Sequence, residues 1–149
     1  MDICFKQVML PVDFSEHSDN AAGYAAWFAQ PSGGVVHLVH VIGNPFDDIY
    51  VPDEASQWTM TKHAEAKAQE LLEAAARRCL PAECARELHV VMGDPYENLM
   101  QVARSIPADV IVLSTHGRGG IAHLVMGSVA EKIVRHSSCP VFVLPRLEA

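Results

Sequence analysis

Residues 114–128, STHGRGGIAHLVMGS, combine residue types that suit the binding of an anion. They follow the apolar run DVIVL and hold four glycines, the last of which, Gly127, precedes Ser128 at the start of a predicted helix. Gly117 would let the backbone approach a ligand closely, because it lacks a Cβ atom and tolerates a positive φ. The free N–H groups of a first helical turn bind anions, and Ser128 and Arg118 would add donors. The segment therefore predicts a site for a phosphate-bearing ligand.

Two other positions could complete such a site. Asp13 follows the first predicted strand, and its carboxylate could accept from a ribose hydroxyl or hold Mg²⁺, which prefers oxygen ligands and phosphates. Backbone groups near Val41, at the end of the second predicted strand, could bind the edge of an adenine. Each feature also has a purely structural interpretation, since glycines form turns, a serine caps a helix, and Asp13 could cap the helix after Ser15. Only their convergence would indicate a ligand.

Other nucleotide-binding and catalytic signatures are missing from the sequence. It contains no GxxxxGK P-loop, no GxGxxG fingerprint and no GxSxG elbow. His116 and His123 are interpreted as solvated or hydrogen-bonded loop residues rather than catalysts. The acidic stretch DDIYVPDE is interpreted as a solvated loop.

The elements that must position these residues alternate along the chain. Apolar runs predict strands at residues 5–12, 35–42, 85–92, 108–114 and 139–145. Helical spacing predicts one helix after Ser15, a longer one that ends near Cys79, one from Asp94, and one from Ser128 to about His136. The patterns D-x-x-E at residues 94–97 and S-x-x-E at residues 128–131 are typical of capping boxes. The predicted core faces are Ala22, Ala25, Ala26 and Ala29; Ala64, Ala68, Leu71, Leu72, Ala75 and Cys79; and Leu99, Val102, Ala103 and Ile106.

This alternation predicts an α/β fold. Strands that are apolar throughout and alternate with helices form parallel sheets covered on both faces. We expect a doubly wound five-stranded parallel sheet in the order 3-2-1-4-5, within a single domain spanning residues 1–149. In this order the chain reverses direction between the first and fourth strands, and ligands bind at the carboxyl ends of such strands. Asp13 and residues 114–128 would meet there.

The amino-acid composition argues against some classes of binding partner. The 149 residues carry 18 Asp and Glu against 11 Lys and Arg, and the formal charge of −7 argues against nucleic acid and anionic membranes as partners. The N-terminus resembles no signal peptide, and no apolar run approaches the roughly 18 residues of a membrane span, so a cytoplasmic location is expected.

Cysteines and histidines show no metal-ligand spacing. Cys4, Cys79, Cys84 and Cys139 are expected to be reduced and mostly buried, although Cys79 and Cys84 could meet across a turn. His37 and His40 occupy positions of opposite parity in one apolar strand, so we expect them on opposite faces as packed or hydrogen-bonded rings.

Four segments resemble the universal stress protein family: PVDFS, HVI, GDP and STHGRGGIAHLVMGSVAEKIVRHSSCPVFVLP. The likeness covers essentially the whole chain in the same order. ATP-binding members carry G-x-x-G, nine further residues, then G-[S/T]. Here the pattern reads Ser114, Gly117, residues 118–126, Gly127 and Ser128, so it departs from the family only at Ser114.

The resemblance implies an adenine nucleotide, ATP above all, with Mg²⁺ as an optional companion, and a role for each matching position. Asp13 would lie by the ribose and by any Mg²⁺, the Val41 backbone would bind adenine, and the Ser114 backbone would pass the ribose. Gly117, Gly127, Ser128 and the Val129 backbone would hold phosphates. The full predicted contact set is Pro11, Val12, Asp13, Val41, Ser114, His116, Gly117, Arg118, Gly127, Ser128 and Val129.

Three functions remain open. The leading one is a regulatory, nucleotide-binding stress-response protein that forms a homodimer by pairing its last strands, which would cover an exposed apolar edge. The second is a dimeric stress scaffold that binds no nucleotide. The third is a slow ATP hydrolase, for which Arg118, His116 and His123 are the available helpers and no general base is evident.

Overall fold

The sheet of the computed structural model, which describes residues 3–115 and 126–145, has the predicted strand order. Five parallel strands lie in the order β3-β2-β1-β4-β5. The strands are β1 (Gln7–Pro11), β2 (Val35–Ile42), β3 (Ala85–Met92), β4 (Val110–Ser114) and β5 (Val141–Leu144). The helices are α1 (Glu16–Ala29), α2 (Glu54–Cys79), α3 (Pro95–Ser105) and α4 (Ser128–His136), with a 3₁₀ turn at Gln30–Ser32. The α/β prediction is confirmed.

The helices cover both faces of the sheet. Alternate strand residues such as Val8, Leu10 and Leu38 pack with the alanines of α1 and with Leu72 of α2. The residues between them, such as Met9, Val39 and Ile111, pack with α3 and α4 on the other face. Because the central strands are covered on both faces, most of their side chains are apolar and do not alternate regularly with polar ones.

Local sequence signals fix the ends of the helices. The Ser15 hydroxyl accepts from the Ser18 amide at 3.3 Å and caps α1, and the Asp94 carboxylate accepts from the Glu97 amide at 2.9 Å and caps α3. After α1, Gly33 adopts the left-handed conformation with φ 60°, which glycine tolerates without a steric penalty. Gly34 follows where a Cβ atom would collide with the backbone of Phe5 and Lys6.

Two predictions about helices are wrong in detail. Leu71 is 39% exposed, since α2 turns Ala68, Leu72, Ala75 and Ala76 toward the sheet and carries Leu71 out of that stripe. Ser128 is the first residue of α4 and not its N-cap. Gly127 occupies the cap position, where it has no side chain to form the predicted S-x-x-E box, and Glu131 instead pairs with Arg135 at 3.0 Å.

The four cysteines are free thiols, as predicted, but they are less buried than expected. Cys4 is exposed, and the other three are half-buried. Burial raises the pKa of both Cys79 and Cys84, so these thiols stay protonated further into the alkaline range than ordinary ones. Among the described residues, no helix is both long enough and apolar enough to cross a membrane.

Candidate functional site

The crevice at the carboxyl ends of β1 and β4 is the predicted position of the site. The two strands are adjacent, with Val8 opposite Val110 and Met9 opposite Ile111, so β1 ends at Pro11 close to the level where β4 ends at Ser114. The chain then leaves β1 for α1 on one face and leads from β4 toward α4 on the other. A crevice opens between chains that diverge in this way.

Asp13 is fixed at the β1 side of this crevice. Its Oδ1 accepts from the Ser15 amide at 3.0 Å and from the Ser15 hydroxyl at 2.5 Å. Since the same hydroxyl caps α1, the carboxylate is tied to the start of that helix. The prediction that Asp13 has a structural role at the start of α1 is thus confirmed in part. The same hydrogen bonds hold its carboxylate at the crevice.

The backbone just before and after Asp13 is held by β2. The Val12 amide donates to the Val39 carbonyl at 2.8 Å, and the Val12 carbonyl accepts from His40 Nδ1 at 2.7 Å. The Phe14 ring stacks on the His40 ring with centroids 4.3 Å apart. Phe14 has φ 63°, a conformation that costs a bulky residue about 1–2 kcal/mol. The turn that positions Asp13 is therefore strained, and packing on His40 helps to hold it.

Val41 directs its backbone toward the same crevice. Odd-numbered residues of β2 turn their backbone groups to β1, as the bonds of Val35 with Lys6 and of Val39 with Val12 show. Even-numbered residues turn to β3, as the Ile42 carbonyl does toward Gly93. Since β1 ends at Pro11, opposite Val39, the Val41 amide and carbonyl lie beyond its end and face the crevice.

The start of α4 closes the other side. The Gly127 amide donates to the Thr115 carbonyl at 2.7 Å, so the first turn of α4 is anchored directly to the end of β4. The amides of Ser128 and Val129 lie in that first turn, whose N–H groups have no acceptor within the helix. Such a helix start attracts anions through these donors and the helix dipole.

Gly127 has no conformational reason to be glycine. Its φ of −67° and ψ of 154° suit any residue. A Cβ atom here would meet the Thr115 carbonyl oxygen at 3.4 Å, an ordinary contact, and nothing nearer among the described residues. Because an N-cap side chain would reach the first-turn amides, glycine at this position leaves those amides without a side-chain acceptor from the cap residue.

The structure thus brings together Asp13, Val41, Ser114 and the start of α4, with Pro11 and Val12 between them. His116, Gly117 and Arg118 lie outside the described residues, and their predicted roles rest on the sequence.

A second polar cluster escaped the sequence analysis. His37, Glu87 and His89 meet on the face of the sheet that α3 and α4 cover elsewhere, and Gln7 adjoins them. The predicted opposite facing of His37 and His40 is confirmed, and both rings are hydrogen-bonded. Strand register could have revealed the cluster, because parallel pairing of the two eight-residue strands sets His37 opposite Glu87.

Comparisons with known proteins agree with this architecture. The sequence profile of the universal stress protein family matches residues 5–145. A universal stress protein of Thermus aquaticus is 31% identical over 140 residues, which cover 94% of this chain and 98% of the relative. The chain belongs to the universal stress protein family.

Solved structures share the fold. The protein MJ0577 aligns with a TM-score of 0.84 and 23% identity, covering 99% of this chain and 100% of that one. The universal stress protein of Archaeoglobus fulgidus in complex with dAMP aligns with a TM-score of 0.56 and 20% identity, covering 95% and 98% of the two chains.

Proposed function

We propose that this universal stress protein binds an adenine nucleotide, ATP in the first place, and acts as a regulatory protein in the stress response. The observation that carries the proposal is the start of α4, where the cap residue Gly127 supplies no side-chain acceptor to the first-turn amides and is anchored to the chain directly after β4. The dAMP complex of the Archaeoglobus fulgidus relative supports an adenine nucleotide as the ligand.

The proposal gives the ligand a definite orientation among the described residues. The amides of Ser128 and Val129, with the Ser128 hydroxyl, would receive the phosphates. The Asp13 carboxylate would accept from the ribose and could face a Mg²⁺ ion on the phosphates. The Val41 backbone would bind the adenine edge, while Pro11, Val12 and Ser114 would line the crevice. His116, Gly117 and Arg118 would complete the phosphate site.

A homodimer is the second part of the proposal. At the edge of the sheet, β5 pairs through the Pro140 and Leu144 carbonyls with β4, so the backbone groups of Val141 and Val143 point away from the sheet. Exposed aromatic side chains lie beside this edge, among them Trp27 at 67% exposure and Phe142 at 37%. Pairing with β5 of a second copy would satisfy the free backbone groups and cover apolar surface.

Calorimetric titration with ATP tests the nucleotide site, with and without Mg²⁺, on protein shown to be free of carried-over nucleotide. Gly127→Asp places a negative charge where the phosphates would lie. We expect its affinity for ATP to fall at least tenfold, about 1.4 kcal/mol. The apo variant should melt no lower than wild type, because Asp is a preferred N-cap and complements the helix dipole.

Gly127→Ala is the matched control, since a Cβ atom fits here and adds no charge. Its affinity should exceed that of Gly127→Asp. A series of adenosine, AMP, ADP and ATP should show tighter binding with each phosphate in wild type and a weaker trend in Gly127→Asp. Equal ATP affinities for wild type and Gly127→Asp would refute the placement of the phosphates. Failure of nucleotide-free wild type to bind ATP would favour the dimeric scaffold, and multiple turnover of ATP would favour the hydrolase.

A further inference from the structure

The side chains of His37, Glu87 and His89 form a compact cluster of metal-ligating atoms away from the nucleotide crevice. His37 Nδ1 lies 3.0 Å from His89 Nε2 and 3.5 Å from Glu87 Oε2, and His89 Nε2 lies 4.0 Å from the same oxygen. Each of the three atoms is a nitrogen or oxygen of a type that binds transition metals. The cluster is formed by register, since Glu87 and His89 are alternate residues of β3 and His37 lies opposite Glu87 on β2.

The spacing of these atoms matches one face of a zinc coordination sphere. A point equidistant from the three atoms lies about 2.1 Å from each. Zinc–nitrogen bonds are about 2.0–2.1 Å and zinc–carboxylate bonds about 2.0–2.2 Å, so all three atoms can reach one ion. Because the equidistant point lies in the plane of the three atoms, the side chains must rotate to place the ion out of that plane. With the ion out of that plane, three protein ligands leave a fourth tetrahedral position for water.

Gln7 orients His37 for this role. Its Oε1 lies 2.6 Å from His37 Nε2 and accepts a hydrogen bond from the Nε2–H, which leaves the lone pair on Nδ1 directed at the cluster. Metal-binding histidines commonly donate their other ring N–H to an oxygen in this way. The His37 side chain is buried, and burial, opposed by Glu87 and reinforced by His89, lowers its pKa and favours the neutral imidazole that metals bind.

An ion could reach the cluster from solvent. The Glu87 side chain is 62% exposed and that of His89 is 25% exposed, whereas that of His37 is 4% exposed. β3 is an edge strand of the described sheet, so no further strand covers its outer side. The buried imidazole would form the floor of the site and the carboxylate its solvent-facing wall.

We propose that His37, Glu87 and His89 form a binding site for a divalent transition metal, suited to Zn²⁺, that ties edge strand β3 to β2. In the metal-free protein His89 Nε2–H donates to His37 Nδ1. On binding, the metal replaces this hydrogen bond, and the His89 proton moves to its own Nδ1, so that each imidazole stays neutral and offers one lone pair. This site is separate from the nucleotide crevice and does not depend on it.

Titration of the full-length protein with zinc chloride tests the site, with affinity measured by calorimetry and stabilisation by thermal melting. We expect one strongly bound Zn²⁺ per chain and a melting temperature that rises with Zn²⁺ concentration. His89→Gln and Glu87→Gln alter partly exposed ligands and should fold. Each should weaken Zn²⁺ binding by more than about tenfold, since even an outer-shell change commonly costs 10–100-fold. His63→Gln, which removes an exposed histidine of α2, should leave binding unchanged.

Two further measurements locate the ion. Co²⁺ should bind at the same stoichiometry without a sulfur-to-cobalt charge-transfer band, because the site contains no thiolate. Gln7→Leu should weaken Zn²⁺ binding and Gln7→Glu should restore it, a pattern that a loss of stability alone would not produce. Equal Zn²⁺ affinity of wild type and His89→Gln, or a thiolate band with Co²⁺, would overturn the proposal. Absence of any Zn²⁺ binding would mean that the cluster is a hydrogen-bonded network only.

Discussion

Phe14 shows how one residue can be held in an unfavourable conformation beside a candidate site. It is the single non-glycine residue of the described chain with a positive φ, and it directly follows Asp13. Backbone strain of this kind persists only where surrounding contacts outweigh it, and it is common at ligand sites. Here the contacts include the His40 ring, which itself donates to the Val12 carbonyl.

This strain should reverse the usual order of stability between Ala and Gly variants at position 14. In most backbone settings Ala is more stabilising than Gly, because Gly loses more entropy on folding. At φ 63° the order should reverse, and Phe14→Gly should be more stable than Phe14→Ala by about 1 kcal/mol. Both variants lose the contact with His40, so their difference isolates the backbone. Urea denaturation measures it, and an Ala variant equal to or more stable than Gly would show that the turn relaxes.

At the scale of residues, some positions could be predicted from the sequence and others could not. The places of Asp13 and Gly127 in the fold were predictable, because Asp13 follows a recognisable strand and Gly127 precedes a recognisable helix. The cluster of His37, Glu87 and His89 was not predicted. His37 precedes the other two residues by about fifty positions and meets them only through the register of β2 and β3. The cluster becomes visible only when the two predicted eight-residue strands are aligned end to end, a step that residue spacing along the chain does not include.

At the scale of elements, the boundaries of β2 and β3 were predicted to the residue, whereas β1, β4 and β5 were predicted too long. β2 is an unbroken apolar run that follows a glycine pair, so its limits are visible in the sequence. β1 begins at Gln7 and not at residue 5, and its start is held by a contact with the β4 side of the sheet. Local patterns could not anticipate such a contact.

The start of β1 is held by the carboxylate of Asp109, which lies directly before β4. Its Oδ2 accepts from the amides of both Lys6 and Gln7 at 2.8 Å, and its own amide donates to the Gln7 carbonyl at 2.8 Å. A charged acceptor shared by two amides fixes the start of β1 against β4. This pairing brings the two strand ends of the crevice into line.

Removal of this carboxylate should loosen the start of β1. Asp109→Ala should lower the free energy of unfolding by about 2 kcal/mol, because hydrogen bonds to a charged group contribute about 1.5–3 kcal/mol and this group is partly exposed. Asp109→Asn keeps an acceptor oxygen and should lose less. Chemical denaturation gives the energies, and hydrogen exchange at Lys6 and Gln7 reports the local effect. An Ala variant with wild-type stability and protection would show that water replaces the carboxylate.

At the scale of the whole molecule, the two edges of the sheet differ in what they expose. The β3 edge carries polar and charged side chains around Glu87 and His89. The β5 edge carries aromatic ones, since Phe142 stacks against Tyr24 and Phe28, with ring centroids 5.7 and 5.0 Å away. A long apolar edge invites pairing with another strand, whereas a charged edge resists it. Self-association through β5 would leave both the crevice and the cluster of His37, Glu87 and His89 accessible.

The alternation of backbone groups along β5 allows this assembly to be tested without disturbing the fold. Val143 turns its N–H away from β4, so Val143→Pro removes a donor from the outer edge while the ladder to β4 keeps its bonds. We expect wild type to sediment as a dimer and Val143→Pro as a monomer or a much weaker dimer. Val143→Thr, which keeps the N–H and the branched shape, should remain dimeric. ATP affinity should be similar in all three proteins, because β5 lies outside the crevice. A Val143→Pro protein that dimerises like wild type would show that the copies meet through another surface.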